Sequence, residues 1–110
     1  MNSTYIFRAS GILIYDEQSN PYETVEIYMD YEPGRLAVKS HISEHGPDGG
    51  SSWRGVFIED IELRKLKYVV GEDIKVFLSQ YLRKNASRGL IGLSEFLKGN
   101  DIAFESLYAF

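Results

Sequence analysis

The chain has 110 residues, a formal net charge of −4, no cysteine, and 44% hydrophobic residues, including eight Tyr, six Phe and one Trp. That is the size of one domain with one core; it is too apolar for a disordered segment, and it excludes disulfides, thiolate nucleophiles and cysteine metal sites. An acidic chain, with a pI near 5.1, also lacks the basic excess with which general DNA or RNA binders displace counterions from phosphate.

Residues 4–15 are rich in aromatic and β-branched types, with Tyr5, Phe7, Ala9, Leu13 and Tyr15 in one phase and Ile6, Ile12 and Ile14 in the other. Apolar side chains in both phases predict a strand covered on both faces and central in a sheet, with Gly11 as a candidate bulge. Residues 16–21 carry turn chemistry. The opening residues lack the basic start and long apolar run of a signal peptide, and no stretch is apolar enough to span a bilayer, so a soluble, cytoplasmic protein is expected.

Residues 22–32 alternate cleanly. Val25, Ile27, Met29 and Tyr31 fall on one face; Thr24, Glu26, Tyr28, Asp30 and Glu32 fall on the other. Pro33-Gly34 then predicts a two-residue connection into a strand at residues 35–42, Pro presetting φ and Gly taking the positive φ of the next position. That connection sets Glu32 opposite Arg35, Tyr31 opposite Leu36, Met29 opposite Val38, Tyr28 opposite Lys39, Glu26 opposite His41 and Val25 opposite Ile42. Every pair matches apolar with apolar or polar with polar, and a one-residue slip breaks them all.

Residues 44–52 hold three of the ten glycines and read as an exposed loop. A further strand starts at Trp53. Residues 60–70 fit neither period cleanly, and a strand ending at Val70 is favoured over a helix. From Glu72 the period changes: Ile74, Phe77, Leu78, Tyr81 and Leu82 form the stripe of an amphipathic helix over 72–84, with Glu72 and Asp73 at its start and Arg83 and Lys84 at its end. Leu90, Leu93, Phe96 and Leu97 give a second helix over 90–98, closed by Gly99-Asn100. Residues 102–110 form an edge strand or a helical turn. The sum is an α+β fold and a single domain over 1–110: an antiparallel sheet of four to five strands from residues 4–70, with two C-terminal helices, 72–84 and 90–98, packed on one face.

Chemical motifs are sparse. His41-Ile42-Ser43-Glu44-His45 matches the H-x-x-E-H zinc pattern, but it runs from a strand into a Pro/Gly loop, where residues four apart share no helical face. The glycine-rich segment 46–52 lacks the Lys and the following helix of a phosphate cradle. No Gly-x-Ser-x-Gly elbow is present, and paired carboxylates such as Glu59 with Asp60 lack the apolar setting that raises the pKa of an acid catalyst. Arg64, Lys65 and Lys67, with Arg83, Lys84 and Arg88, read as a solvated basic face. No cofactor and no enzymatic activity are expected.

What remains is a segregation of charge. Residues 1–33 hold Asp16, Glu17, Glu23, Glu26, Asp30 and Glu32 against Arg8, a net of −5; the remaining 77 residues hold ten acids and eleven bases. Carboxylates speed encounter with a basic partner, and tyrosines on the same strand supply rigid contact area. The expected binding residues are Glu23, Glu26, Tyr28, Asp30 and Glu32, with Trp53 and Arg54 at the base of the glycine-rich loop. The reading is a small acidic protein that binds and inhibits a basic macromolecule, such as a nuclease or nucleic-acid-binding machine, in the manner of toxin-immunity or phage anti-defence proteins, itself touching neither nucleic acid nor membrane. The alternatives are a self-associating assembly protein, dimerising through a sheet edge or its apolar tail, and a metal-dependent hydrolase using His41, Glu44 and His45.

Overall fold

The hairpin around Pro33-Gly34 forms the middle of a five-stranded antiparallel sheet whose strands lie side by side in chain order. The computed structural model describes residues 12–20, 23–44, 49–71, 73–85 and 89–109. The strands are β1 (Ile12–Asn20), β2 (Glu23–Glu32), β3 (Arg35–Glu44), β4 (Ser51–Glu59) and β5 (Glu105–Ala109); α1 (Asp60–Val70), α2 (Ile74–Lys84) and α3 (Gly89–Gly99) lie between β4 and β5.

The β2–β3 register is the one the alternation demands, from Glu32 opposite Arg35 to Val25 opposite Ile42, and Gly34 takes φ +83° in the turn. One face of the hairpin carries Ile27, Met29, Leu36 and Val38, and β4 extends it with Val56 and Ile58. The helices cover this face. Leu66, Leu78, Leu82, Leu93 and Leu97 are fully buried against it, each contributing about 1.5–3 kcal/mol by leaving water.

Three expectations need correction. Residues 60–70 are helix, not strand: Leu63, Leu66 and Val70 turn inward at helical spacing, while exposed Ile61, Tyr68 and Val69 blur the apolar stripe. Asp60 and Glu62 sit in its first turn, Lys67 in its last, and Gly71 closes it at φ +68° with its N–H donating to the Lys67 carbonyl. The fifth strand therefore comes from the C-terminal tail rather than from residues 4–70. β1 continues through residues 16–20, where a turn was expected, and among the described strands it lies at the sheet edge rather than its centre. Its pairing with β2 breaks between Leu13 and Tyr15, so the irregularity falls beyond Gly11, which lies outside the described residues, as do residues 4–10 of the expected first strand.

The second helix starts at Ile74 because Asp73 caps it, its carboxylate accepting from the N–H groups of Lys75 at 2.9 Å and Val76 at 3.3 Å. Tyr81, Phe77 and Phe96 then join α2 to α3 as an aromatic cluster with ring centres 5.2–5.5 Å apart. No helix among the described residues is long and apolar enough to cross a membrane.

Candidate functional site

Antiparallel partners share a face, so the register alone assigns the second side of the sheet. It carries Asp16 of β1; Glu26, Tyr28, Asp30 and Glu32 of β2; Arg35, Lys39 and His41 of β3; Trp53, Phe57 and Glu59 of β4; and Glu105 and Leu107 of β5. The apolar cluster beneath the helices draws none of its strand residues from this side.

The cross-strand pairs foreseen from the hairpin are in place, and they alter the electrostatics of the face. Arg35 Nε donates to Glu32 Oε1 at 2.7 Å, and its guanidinium lies 4.3 Å from the centre of the Phe57 ring. Lys39 Nζ lies 3.4 Å from Asp30 Oδ2, and His41 Nδ1 lies 3.4 Å from Glu26 Oε1. The three β2 carboxylates expected to be open to a partner thus already have basic neighbours on β3. A two-residue turn that aligns outer face with outer face necessarily brings an acidic strand against its basic partner. Lys39 is itself buried, with its side chain 2% exposed against 28% for Asp30.

Around this centre runs an aromatic group. Trp53 stacks on His41 at 4.3 Å with 17° between planes, and Tyr28 lies 6.3 Å from Trp53. Burial raises the Tyr28 hydroxyl above its ordinary pKa, with smaller contributions from its hydrogen bond to Glu26 and the negative charges of Glu26 and Asp16. The neutral phenol is therefore the form this face holds.

The exposed rim is where the negative charge is available. Asp16, Glu59 and Glu105 are exposed, and Glu26, Asp30 and Glu32 are half-buried. Among the described residues of this face, six carboxylates stand against Arg35 and Lys39, an excess of four. At one corner the rim folds into a concavity of about 410 Å³ lined by Arg35, Phe57, Glu59, Glu62, Phe104 and Glu105. Glu62 is fixed there, accepting from Ala103 N–H at 2.8 Å and from Lys65 Nζ at 3.1 Å. The backbone donor from Ala103, then Lys65, holds its carboxyl below the usual glutamate pKa.

Of the seven residues singled out in the sequence, Glu26, Tyr28, Asp30, Glu32 and Trp53 share this face. Glu23 and Arg54 do not. Adjacent strand residues point to opposite sides, so Arg54 turns toward the helix layer beside Leu90, Ile91 and Ser94, and Glu23 belongs to the phase of Val25 at the far end of β2, paired with Glu44. Tyr31 is 59% exposed at the opposite end of that same phase, and Tyr22 lies outside the described residues. Glu59, Phe57 and Glu105 were missed. Counting by twos from Trp53 reaches Phe57 and Glu59; Glu105 enters only once β5 is known to pair with β4.

The H-x-x-E-H match gains no support from the geometry. His41 and Glu44 are three apart on β3 and point to opposite faces, His45 lies outside the described residues, and among the described residues no three His, Asp or Glu side chains are grouped to hold a metal. The chain matches no family model, and no curated protein or solved structure is significantly similar to it.

Proposed function

We propose that this protein is a non-enzymatic binding module that captures a basic protein segment on the acidic side of its sheet and so blocks that segment's normal contacts. The observation that carries this reading is the four-charge negative excess on the side opposite the helices, continuous with the acidic, phenylalanine-floored corner at Glu59, Glu62 and Glu105. An arginine or lysine entering that corner would meet the carboxylates of Glu59, Glu62 and Glu105 at the rim and the half-buried Phe104 beneath, Phe57 being already covered by Arg35. A cleft shaped for nucleic-acid phosphate is the kind of surface such a face complements, which makes an inhibitor of a nuclease or nucleic-acid-binding machine the favoured role.

The internal ion pairs make the reading more specific. Glu32 and Asp30 are already paired with Arg35 and Lys39, and Glu26 lies beside His41, so Glu59 and Glu105 should contribute more to encounter than the β2 acids. Capture from a bacterial lysate at low salt, with wild type and a Glu59→Lys/Glu105→Lys variant as baits, tests this. A basic protein held by wild type and lost from the variant is expected. The purified partner should then perturb the fluorescence of Trp53, the chain's single tryptophan, with an affinity that falls as salt rises. Capture indifferent to the two substitutions and to salt would refute it.

A further inference from the structure

The two ends of the sheet differ in how they resist further pairing. β1 is irregular between Leu13 and Tyr15 and again between Gln18 and Asn20, and it carries Asp16 and Glu17 in mid-strand. Bulges and charges are the usual devices by which an edge strand refuses another. β5 has no bulge, and no charge after its first position: its pairing with β4 runs from Glu105 to Ala109 without a shift, and its sequence Glu-Ser-Leu-Tyr-Ala has no proline or lysine. Glu105, Ser106 and Leu107 are exposed, and no strand among the described residues lies beyond it.

We propose that β5 pairs with β5 of a second copy of this chain, antiparallel about a two-fold axis at Leu107, joining two five-stranded sheets into one of ten. The strand's own sequence favours a second copy. An axis at Leu107 sets position 105 opposite 109, 106 opposite 108, and 107 opposite itself, so Glu105 meets an alanine position rather than its own image, whereas parallel pairing in the same register would place the two carboxylates side by side. Leu107, 38% exposed in the monomer, meets Leu107. Pairing about this axis also preserves parity, so both helix layers fall on one side and both acidic faces on the other. Among the described strands the outer edges of the ten-stranded sheet are then the two guarded β1 strands, and association closes at the dimer instead of growing into a fibre.

Sedimentation of the full chain over a concentration series up to about 100 µM is the test, because a homodimer's stability depends on protomer concentration. Wild type is expected at twice the chain mass, and Leu107→Lys, which sets two ammonium groups on the axis, at the single chain mass with an unchanged far-ultraviolet circular dichroism spectrum. Leu107→Cys provides an independent reading in a chain with no native cysteine: mild oxidation should give a covalent dimer, while Ile61→Cys, on the exposed side of α1, should not cross-link under the same conditions. A monomeric wild type, a Leu107→Lys dimer as tight as wild type, or cross-linking no faster at position 107 than at 61 would overturn the proposal.

Discussion

The Lys39–Asp30 pair is unequally buried, and that inequality predicts an asymmetry between two substitutions. The Lys39 side chain is 2% exposed and the Asp30 side chain 28%, with Nζ and Oδ2 3.4 Å apart. Lys39→Met keeps the length of the stem, removes the buried ammonium, and leaves a carboxylate that water can reach. Replacing a buried charge with an apolar isostere is often neutral, so Lys39→Met should change stability by no more than about 1 kcal/mol. Asp30→Asn removes the negative charge beside an ammonium that solvent barely reaches, and should cost about 3 kcal/mol. Urea denaturation gives both values, provided the slope m stays constant so that the midpoint reports stability alone. The double variant should lie near Lys39→Met, since Asp30 matters to stability chiefly while the ammonium is there. Finding Asp30→Asn no more costly than Lys39→Met would refute the reasoning. Lys39→Met should also tighten binding of a basic partner by raising the net negative charge of the face.

The pH behaviour of two other groups follows from their settings. The Glu62 pKa is lowered in the fold, so its contribution to stability is present above the ordinary glutamate value, near 4.3, and disappears as the pH falls through the folded value. The stability difference between wild type and Glu62→Gln in urea should therefore be largest near neutrality and shrink toward zero in strong acid. The Tyr28 pKa is raised, so its contribution is intact below about pH 10 and is lost as the pH climbs through the higher folded value. In an alkaline titration followed at the tyrosinate absorbance band, Tyr28→Phe should remove a late-titrating component. Asp73→Ala removes two capping hydrogen bonds from α2 and should cost about 1 kcal/mol, lowering Tm by several degrees, with Asp73→Asn retaining most of the stability.

The hairpin was legible because two independent signals agreed: period-two alternation on both sides of Pro33-Gly34, and cross-strand chemistry that matched in one register only. The α2 stripe was equally plain, since Ile74, Leu78 and Leu82 are all buried at helical spacing. Helix α1 was hidden by its own surface. Tyr68 is 89% and Ile61 66% exposed, so apolar residues that face water scrambled the pattern of Leu63, Leu66 and Val70. The acidic face was half legible: alternation found the β2 carboxylates, and the foreseen register already contained their pairing with Arg35, Lys39 and His41. Arg54, read with Trp53 at the base of the loop, falls on the other side of the sheet because adjacent strand residues alternate. Glu105 was beyond reach, as it joins the face only through a pairing with β4 about fifty residues away in the chain.

That distant pairing has a kinetic consequence. β1 to β4 meet only sequence neighbours and can zip by successive hairpins, but β5 finds β4 only after three helices have been laid down between them, so its loop closure carries the largest entropic penalty in the sheet. The terminal strand should be the last to dock and the first to detach, with amide protons of residues 105–109 exchanging by local opening well below the free energy of global unfolding. A neighbour hydrogen-bonded along its outer side would slow that exchange selectively.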